Sequence, residues 1–151
     1  MKYLAVDYGT KRCGLAVSDD RGTVAVPLKI LPTDELEKEL DHILSNLLFE
    51  RIVFGESVNS KGEHNKVWEP TKKFVEKMKQ KYEARILNGE MEFKFEKEFL
   101  TSKHARMLDD EKAVDDRAAA LILQRFLDKE NYKKGGDIIQ EEKDIYDNED
   151  L

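Results

Sequence analysis

The sequence predicts an α/β protein: a mixed five-stranded sheet with helices on its faces. Three short apolar segments follow one another before the first helical pattern, and such a succession indicates an antiparallel meander. Two further strand-like segments then alternate with helical patterns, as in a β-α-β arrangement of parallel strands. The chain has 151 residues, of which 40% are hydrophobic, so it can bury the core of one domain.

The first half of the chain contains the meander and one helix. Residues 3–7 and 13–18 form a predicted hairpin, and residues 24–30 form a third strand. Thr33 or Asp34 is placed to cap a helix whose apolar residues recur at helical spacing. Those apolar residues are Leu36, Leu40, Ile43, Leu44, Leu47 and Leu48.

The second half alternates strands with helices. Residues 52–55 are wholly apolar, which is typical of a buried parallel strand, and residues 56–66 are expected to form a loop. Helices are predicted over residues 69–88, 101–107 and 115–127, and a half-buried edge strand follows the first of them. The inward-facing residues are Val67, Thr71, Phe74, Val75, Met78 and Tyr82 in that helix, and Met91, Phe93 and Phe95 in the strand.

Charge is distributed unevenly along the chain. The net charge is −6, yet residues 128–151 alone hold nine acids and four lysines. We therefore divide the chain into a domain, residues 1–128, and an acidic, flexible tail, residues 129–151. Residues 61–81 hold seven lysines against three glutamates, a local patch that suits a nucleic-acid partner. Solvated helix faces and a disordered tail explain the same two features equally well.

Two features predict the location of the protein. Cys13 is the only cysteine, so no internal disulfide and no cysteine zinc site is expected. No apolar run approaches the roughly 20 residues that cross a bilayer, and the first residues lead directly into a strand. We therefore expect a cytoplasmic protein with no membrane partner.

Four acidic residues occupy positions from which they are expected to converge. Asp7 ends the first strand, Glu56 and Glu98 follow the fourth and fifth strands, and Asp115 opens the last helix. The carboxyl ends of parallel strands meet at one edge of a sheet, where ligands collect. Grouped carboxylates repel one another unless a cation lies between them, and ligation by oxygen alone favours Mg²⁺ or Mn²⁺. All four acids are therefore candidate catalytic residues in a two-metal hydrolysis of a phosphodiester, with Asp7, Glu56 and Asp115 as candidate metal ligands.

Most of these acids also fit a simpler role. Asp115 suits the N-cap of the last helix, Glu56 a solvent-exposed loop, and Glu98 an acidic stretch without a function. Asp7 is the exception, because a carboxylate at the end of a buried strand needs a partner.

The turn after the first strand is basic. Thr10, Lys11 and Arg12 are candidate substrate-binding residues that would hold a phosphate beside the metal, although ordinary turn polarity explains them as well. Trp68 and Tyr82 are able to stack on nucleobases, but core packing is the simpler explanation for both.

Four segments, in order along residues 2–128, carry recognisable motifs. They are Asp7-Tyr8-Gly9-Thr10-Lys11-Arg12-x-Gly14-Leu15-Ala16-Val17-Ser18-Asp19, Gly55-x-x-x-Asn59-x-x-Gly62, Glu98-x-Leu100-Thr101-Ser102-x-x-Ala105 and Val114-Asp115-x-x-Ala118-Ala119-x-x-Ile122-Leu123. Together they resemble the motifs of the YqgF/RuvX family of bacterial RNase H-like proteins. Members of that family are described as pre-16S rRNA nucleases or as Holliday junction resolvase-like proteins.

The resemblance implies an RNase H-like fold and metal-dependent cleavage of structured nucleic acid. The implied substrate is the 5′ region of precursor 16S rRNA, with ribosomal precursor particles as partners and a monomer or homodimer as the working state. By this resemblance Asp7 would bridge the ions, Glu56, Glu98 or both would complete the shell of one ion, and Asp115 would hold the other. Lys11 and Arg12 would position the substrate backbone.

The chain departs from the family pattern at two places. Glu56-Ser57 replaces a Leu-Pro pair, and Lys97-Glu98-Phe99 replaces Asp-Glu-Arg. Related RNase H-like resolvases carry a metal-binding glutamate at the position of Glu56. The choice between Glu56 and Glu98 as the second ligand is therefore left open.

Three alternative functions remain open at this point. One is a resolvase that acts on branched DNA, and another is a catalytically silent RNA-binding protein of ribosome assembly. The Asp-x-Gly-Thr pattern also resembles the first phosphate loop of actin-like sugar kinases, but no second phosphate loop and no second domain accompany it.

Overall fold

The fold is organised around one mixed sheet. The computed structural model describes residues 2–99 and 117–149, which include β1 (Tyr3–Asp7), β2 (Arg12–Ser18), β3 (Ala25–Pro32), β4 (Arg51–Val58) and β5 (Glu92–Phe99). The strand order is β3-β2-β1-β4-β5; β1 is antiparallel to β2 and parallel to β4, and β4 is parallel to β5. The predicted mixed five-stranded sheet of an RNase H-like fold is confirmed.

Helices cover both faces of this sheet. A 3₁₀ turn (Thr33–Glu35) leads into α1 (Leu36–Asn46), and α2 (Trp68–Lys81) and α3 (Glu83–Leu87) lie between β4 and β5. α1 and α2 bury their apolar residues on one face, and α4 (Ala118–Glu149) covers the other. Among the described helices, none combines the length and apolar character that crossing a membrane requires.

Successive strand residues alternate between the two faces, and this alternation determines the side on which each acid lies. The core under α1 and α2 includes Leu4, Val6, Ile52, Phe54 and Phe93. The core under α4 includes Tyr3, Ala5, Val53, Ile122 and Leu123. Side chains that share the parity of Tyr3 and Ala5 along β1 therefore face α4.

The first helix is shorter than the sequence predicted. α1 ends at Asn46, and the next residue is already extended, with φ −129° and ψ 144°. Leu47 and Leu48 are consequently 48% and 79% exposed, so their assignment to the buried face of the helix was wrong. The chain has to leave the helix here because β4 begins only a few residues later.

Strands β4 and β5 extend further than predicted. β4 continues to Val58, through residues that the sequence analysis assigned to a loop, and β5 contains Glu98 rather than ending before it. The helix predicted over residues 69–88 is interrupted at Tyr82, which separates α2 from α3. Because Glu56 and Glu98 lie within strands, their direction follows from the strand alternation.

The last helix also continues past its predicted end. We expected it to stop at Leu127, whereas α4 runs to Glu149 and includes Gly135 and Gly136. Two glycines cost a helix about 1 kcal/mol each, and the surrounding lysines, glutamates and glutamine favour helix. The predicted division at residue 128 and the flexibility of the tail stay predictions. The predicted helix over residues 101–107 and Asp115 lie outside the described residues.

Candidate active site

Asp7 is the last residue of β1 and lies at the carboxyl edge of the sheet. It shares the parity of Tyr3 and Ala5, so its side chain faces α4. The residue is half-buried and carries interactions with its surroundings. The register of β1 and β4 aligns Val6 with Phe54, which places Gly55 beside Asp7.

Glu98 lies on the same side of the sheet as Asp7. A Cβ atom at Gly55 would lie 3.8 Å from Glu98 Oε2 and 2.7 Å from Ile122 Cδ1. The Glu98 carboxylate therefore leans over the bare backbone of Gly55, between α4 and β4. The missing side chain at Gly55 leaves the space in which the two acids approach each other.

The electrostatic environment of Glu98 reflects this placement. Burial and then the negative charge of Asp7 raise the pKa of Glu98 to about 7, with a smaller raising effect from Glu96. The guanidinium of Arg125 acts in the opposite direction on the same pKa. Two carboxylates on one side of a sheet edge, one of them mostly buried, are an arrangement that a cation would stabilise.

Helix α4 supplies two basic residues opposite the acids of β5. Lys129 Nζ lies 2.5 Å from Glu96 Oε1, and the Glu96 residue is only 5% exposed. Four residues along a helix span about 6 Å. Two residues along a strand span about 6.6 Å. Arg125 and Lys129 are thus spaced like Glu98 and Glu96, and each base faces one acid. The spacing of the two bases was a signal in the sequence that our prediction did not use.

Glu56 lies at the same edge but points to the other side of the sheet. It follows Gly55 in β4, and its Oε1 lies 2.7 Å from Nε2 of His64. The His64 ring stacks on Trp68, which in turn meets the edge of Phe95. We expected Glu56 to converge with Asp7, and the sequence indicated no role for His64. The alternation of β4 separates the two acids, because one residue along a strand reverses the direction of the side chain.

The described residues supply only part of the predicted metal site. Within residues 2–99 and 117–149, no group of three His, Cys, Asp or Glu side chains is arranged to hold a metal ion. Asp7 and Glu98 are brought together, Glu56 is not brought to them, and Asp115 lies outside the described residues. A complete oxygen-ligand site would need Asp115 or another donor in addition to the pair.

Thr33 anchors the basic turn between β1 and β2 through two hydrogen bonds. The Thr33 hydroxyl donates to the Gly9 carbonyl at 2.7 Å, and the Thr33 amide donates to the Lys11 carbonyl at 2.9 Å. Thr10, Lys11 and Arg12 are exposed on this turn, directly after Asp7. The sequence predicted Thr33 or Asp34 as a helix cap, but neither side chain caps α1 or the 3₁₀ turn before it. Thr33 instead fixes the turn that carries the candidate phosphate-binding residues.

Comparisons with known proteins agree on one family. The family model RuvX, described as Holliday junction resolvase, matches residues 1–129. Among curated proteins, a candidate pre-16S rRNA nuclease of a Sulfurihydrogenibium species is 31% identical over 136 residues, which cover 85% of this chain and 90% of the relative. Proteins with the same name from Desulforamulus reducens and Chlorobaculum tepidum are 31% and 28% identical and cover 85% and 84% of this chain, and 97% and 93% of their own lengths.

Proposed function

This chain belongs to the RuvX family, and we propose that it is a nuclease that hydrolyses phosphodiester bonds in structured RNA. The names of its curated relatives support the precursor of 16S rRNA as the substrate. Ribosomal precursor particles would then be its partners, and the cytoplasm its location.

The observation that carries this proposal is the approach of Asp7 and Glu98 on one side of the sheet edge. A buried carboxylate with a raised pKa beside a second carboxylate is a common feature of catalytic centres. The donor set contains carboxylate oxygens only, which fits Mg²⁺ or Mn²⁺. Glu98 fits the second ligand better than Glu56 does, because it lies on the same side of the sheet as Asp7. Asp115, which the sequence predicts at the start of the last helix, is the proposed third ligand.

The residues divide the work of hydrolysis as follows. When bound, the divalent ions lower the pKa of a water molecule and stabilise the oxygen that leaves the phosphorus. Asp7 and Glu98 hold the cation site at the sheet edge. Thr10, Lys11 and Arg12 bind the phosphates next to the cleaved bond and so orient the strand. The water oxygen forms the new bond to phosphorus as the bond to the ribose oxygen breaks.

Calorimetry and cleavage together test this proposal. We expect Mn²⁺ to release binding heat with the wild-type protein, and we expect Asp7→Asn and Glu98→Gln each to lose that heat together with cleavage of a precursor 16S rRNA fragment. Glu92→Gln is the matched control, because Glu92 is on the same strand and face as Glu98 but pairs with Arg51 and Lys94. Intact Mn²⁺-dependent cleavage in Asp7→Asn would refute the proposal.

The description of the family model favours a second candidate, a resolvase of branched DNA. This activity would require preferential cleavage of a four-way junction over precursor rRNA, together with a homodimer in solution. A protein that binds RNA but shows neither Mn²⁺ heat nor cleavage would instead be a silent assembly factor.

A further inference from the structure

We propose that the exposed face of His64, stacked on Trp68, binds an unpaired nucleobase of the substrate strand. We call these two residues the stacking platform. This inference rests on the proposed nuclease function and adds a substrate feature to it. The strand must present a base outside the duplex close to the cleaved bond.

Aromatic contacts and one hydrogen bond hold the platform in place. The rings of His64 and Trp68 are parallel within 9°, with centroids 4.5 Å apart. Phe95 packs against Trp68 in an edge-to-face contact, with a centroid distance of 5.1 Å and an interplanar angle of 66°, and so helps to fix the indole ring. The Glu56 carboxylate, 2.7 Å from His64 Nε2, fixes the orientation of the imidazole. Trp68 covers one side of the His64 ring, and 34% of the side-chain surface remains exposed, which leaves area on which a ligand can bind.

The loop that carries His64 is built before any ligand arrives. Asn59 Oδ1 accepts hydrogen bonds from the amides of Lys61 and Glu63, both at 2.9 Å. Gly62 takes a φ of +79°, a left-handed conformation that side chains other than glycine rarely adopt. An isolated bridge then pairs His64 with the last residue of β4. Because the loop is already ordered, ligand binding does not carry the entropic cost of ordering it.

The charges around the platform suit a nucleic-acid strand. Lys61 and Lys66 are exposed, and within the described part of the chain neither forms an ion pair. The ammonium of Lys72 lies 5.7 Å from the centroid of the Trp68 ring and is paired with Glu69 at 2.9 Å. Phosphates on either side of a stacked base would meet Lys61 and Lys66.

The position of the platform relates it to the acids. Glu56 and Gly55 are consecutive in β4, so the platform and the Asp7–Glu98 pair lie at the same edge of the sheet, on opposite sides. A strand that crosses this edge can place a phosphate at the acids and a neighbouring base on His64. A fully paired duplex cannot, because its bases are stacked on one another.

Trp68 is the only tryptophan of the chain, so its fluorescence reports directly on the platform. We would titrate the full-length protein, with EDTA present to prevent cleavage, with short oligoadenylate and with a blunt RNA duplex of equal length. Labelled oligoadenylate, followed by anisotropy, gives the affinity independently. We expect oligoadenylate to quench the fluorescence and the duplex to leave it nearly unchanged.

Three variants separate stacking from other contributions. His64→Ala should weaken the binding of oligoadenylate about fivefold to hundredfold, the range that the loss of one stacked base produces. His64→Phe should retain most of the affinity, because it keeps a flat ring. His42→Ala, at an exposed histidine of α1 away from the platform, should bind like the wild type.

The outcomes distinguish this inference from the proposed function. Equal affinity of the wild type and His64→Ala, or equal quenching by oligoadenylate and duplex, would overturn the platform and leave the nuclease proposal intact. Equal losses in His64→Phe and His64→Ala would also overturn it, because the hydrogen bond to Glu56 rather than the ring would then matter. Absence of any RNA or DNA binding and of cleavage would overturn both proposals.

Discussion

Replacing Glu98 with glutamine should stabilise the protein at pH 8, although it removes a proposed metal ligand. The reason is that the folded state holds this carboxyl beside Asp7 in a mostly buried position, which raises its pKa to about 7 from an ordinary value of 4.5. In the unfolded chain the carboxyl is surrounded by water, and its pKa returns to the ordinary value. Folding therefore becomes less favourable wherever Glu98 has to be ionised.

The size and the pH window follow from these two pKa values. Below pH 4.5 the carboxyl is protonated in both states, so it adds no penalty. Between pH 4.5 and about 7 only the folded state keeps the proton, and the free energy of unfolding falls as the pH rises. Above pH 7 the penalty is complete and amounts to about 3 kcal/mol. Glu98→Gln should recover up to that amount at pH 8 and almost nothing at pH 4.

Urea denaturation at pH 4 and pH 8, with EDTA in both buffers, measures the difference. Glu92→Gln supplies a control of opposite sign: a hydrogen bond from Lys94 lowers the pKa of Glu92, so its contribution is present above pH 4.5 and is lost as the solution becomes more acidic. This variant should lose stability at pH 8. Added Mn²⁺ should stabilise the wild type more than Glu98→Gln.

Two results would refute this reasoning. One is an unchanged free energy of unfolding in Glu98→Gln at pH 8, which would mean that the carboxyl is well solvated. The other is an equal gain at pH 4 and pH 8, which would point to packing of the amide rather than to charge.

Three further predictions concern the packing around the site. Gly55→Ala should lower the free energy of unfolding by about 1–3 kcal/mol, because the new Cβ would lie 2.7 Å from Ile122 Cδ1. Adding Ile122→Val should restore part of this loss, and denaturation curves of both variants measure it. Lys129→Met should cost about 1–3 kcal/mol by leaving the buried Glu96 carboxylate without its cation, and adding Glu96→Gln should recover most of the loss in the same assay. Asn59→Ala should leave the global stability nearly unchanged but weaken oligoadenylate binding severalfold in the fluorescence titration, because two amides lose their acceptor and the loop is no longer held.

The succession of strands and helices along the chain and the position of Asp7 were predictable because both depend on local patterns. A short apolar run, a turn and a second run fix a hairpin, and a run between two helical patterns fixes a parallel strand. The side of the sheet that each acid faces depends on where a strand ends. We predicted that Glu56 lies beyond the end of the strand. β4 instead continues to Val58, and the alternation of its side chains directs Glu56 to the side of the sheet opposite Asp7.

Other differences arise from contacts between residues far apart in the sequence. No local pattern shows that Thr33 will bond to the Gly9 carbonyl, because the two residues meet only after β2 and β3 have paired. The stack of His64 on Trp68 likewise requires the loop after β4 to fold back onto the start of α2. Leu47 and Leu48 continue the helical spacing but lie past the end of α1, so periodicity alone could not exclude them.

The position of β5 in the sheet has a consequence for local stability. Glu98 lies on the last strand of the order β3-β2-β1-β4-β5, which pairs only with β4 in the described sheet. An outer strand can detach without global unfolding, so its amides should exchange with solvent deuterium sooner than those of the central β1. A cation held between Asp7 and Glu98 would tie these two strands together. Ligand binding at the edge would then slow the hydrogen exchange of amides along the whole of β5, including amides that do not contact the ligand.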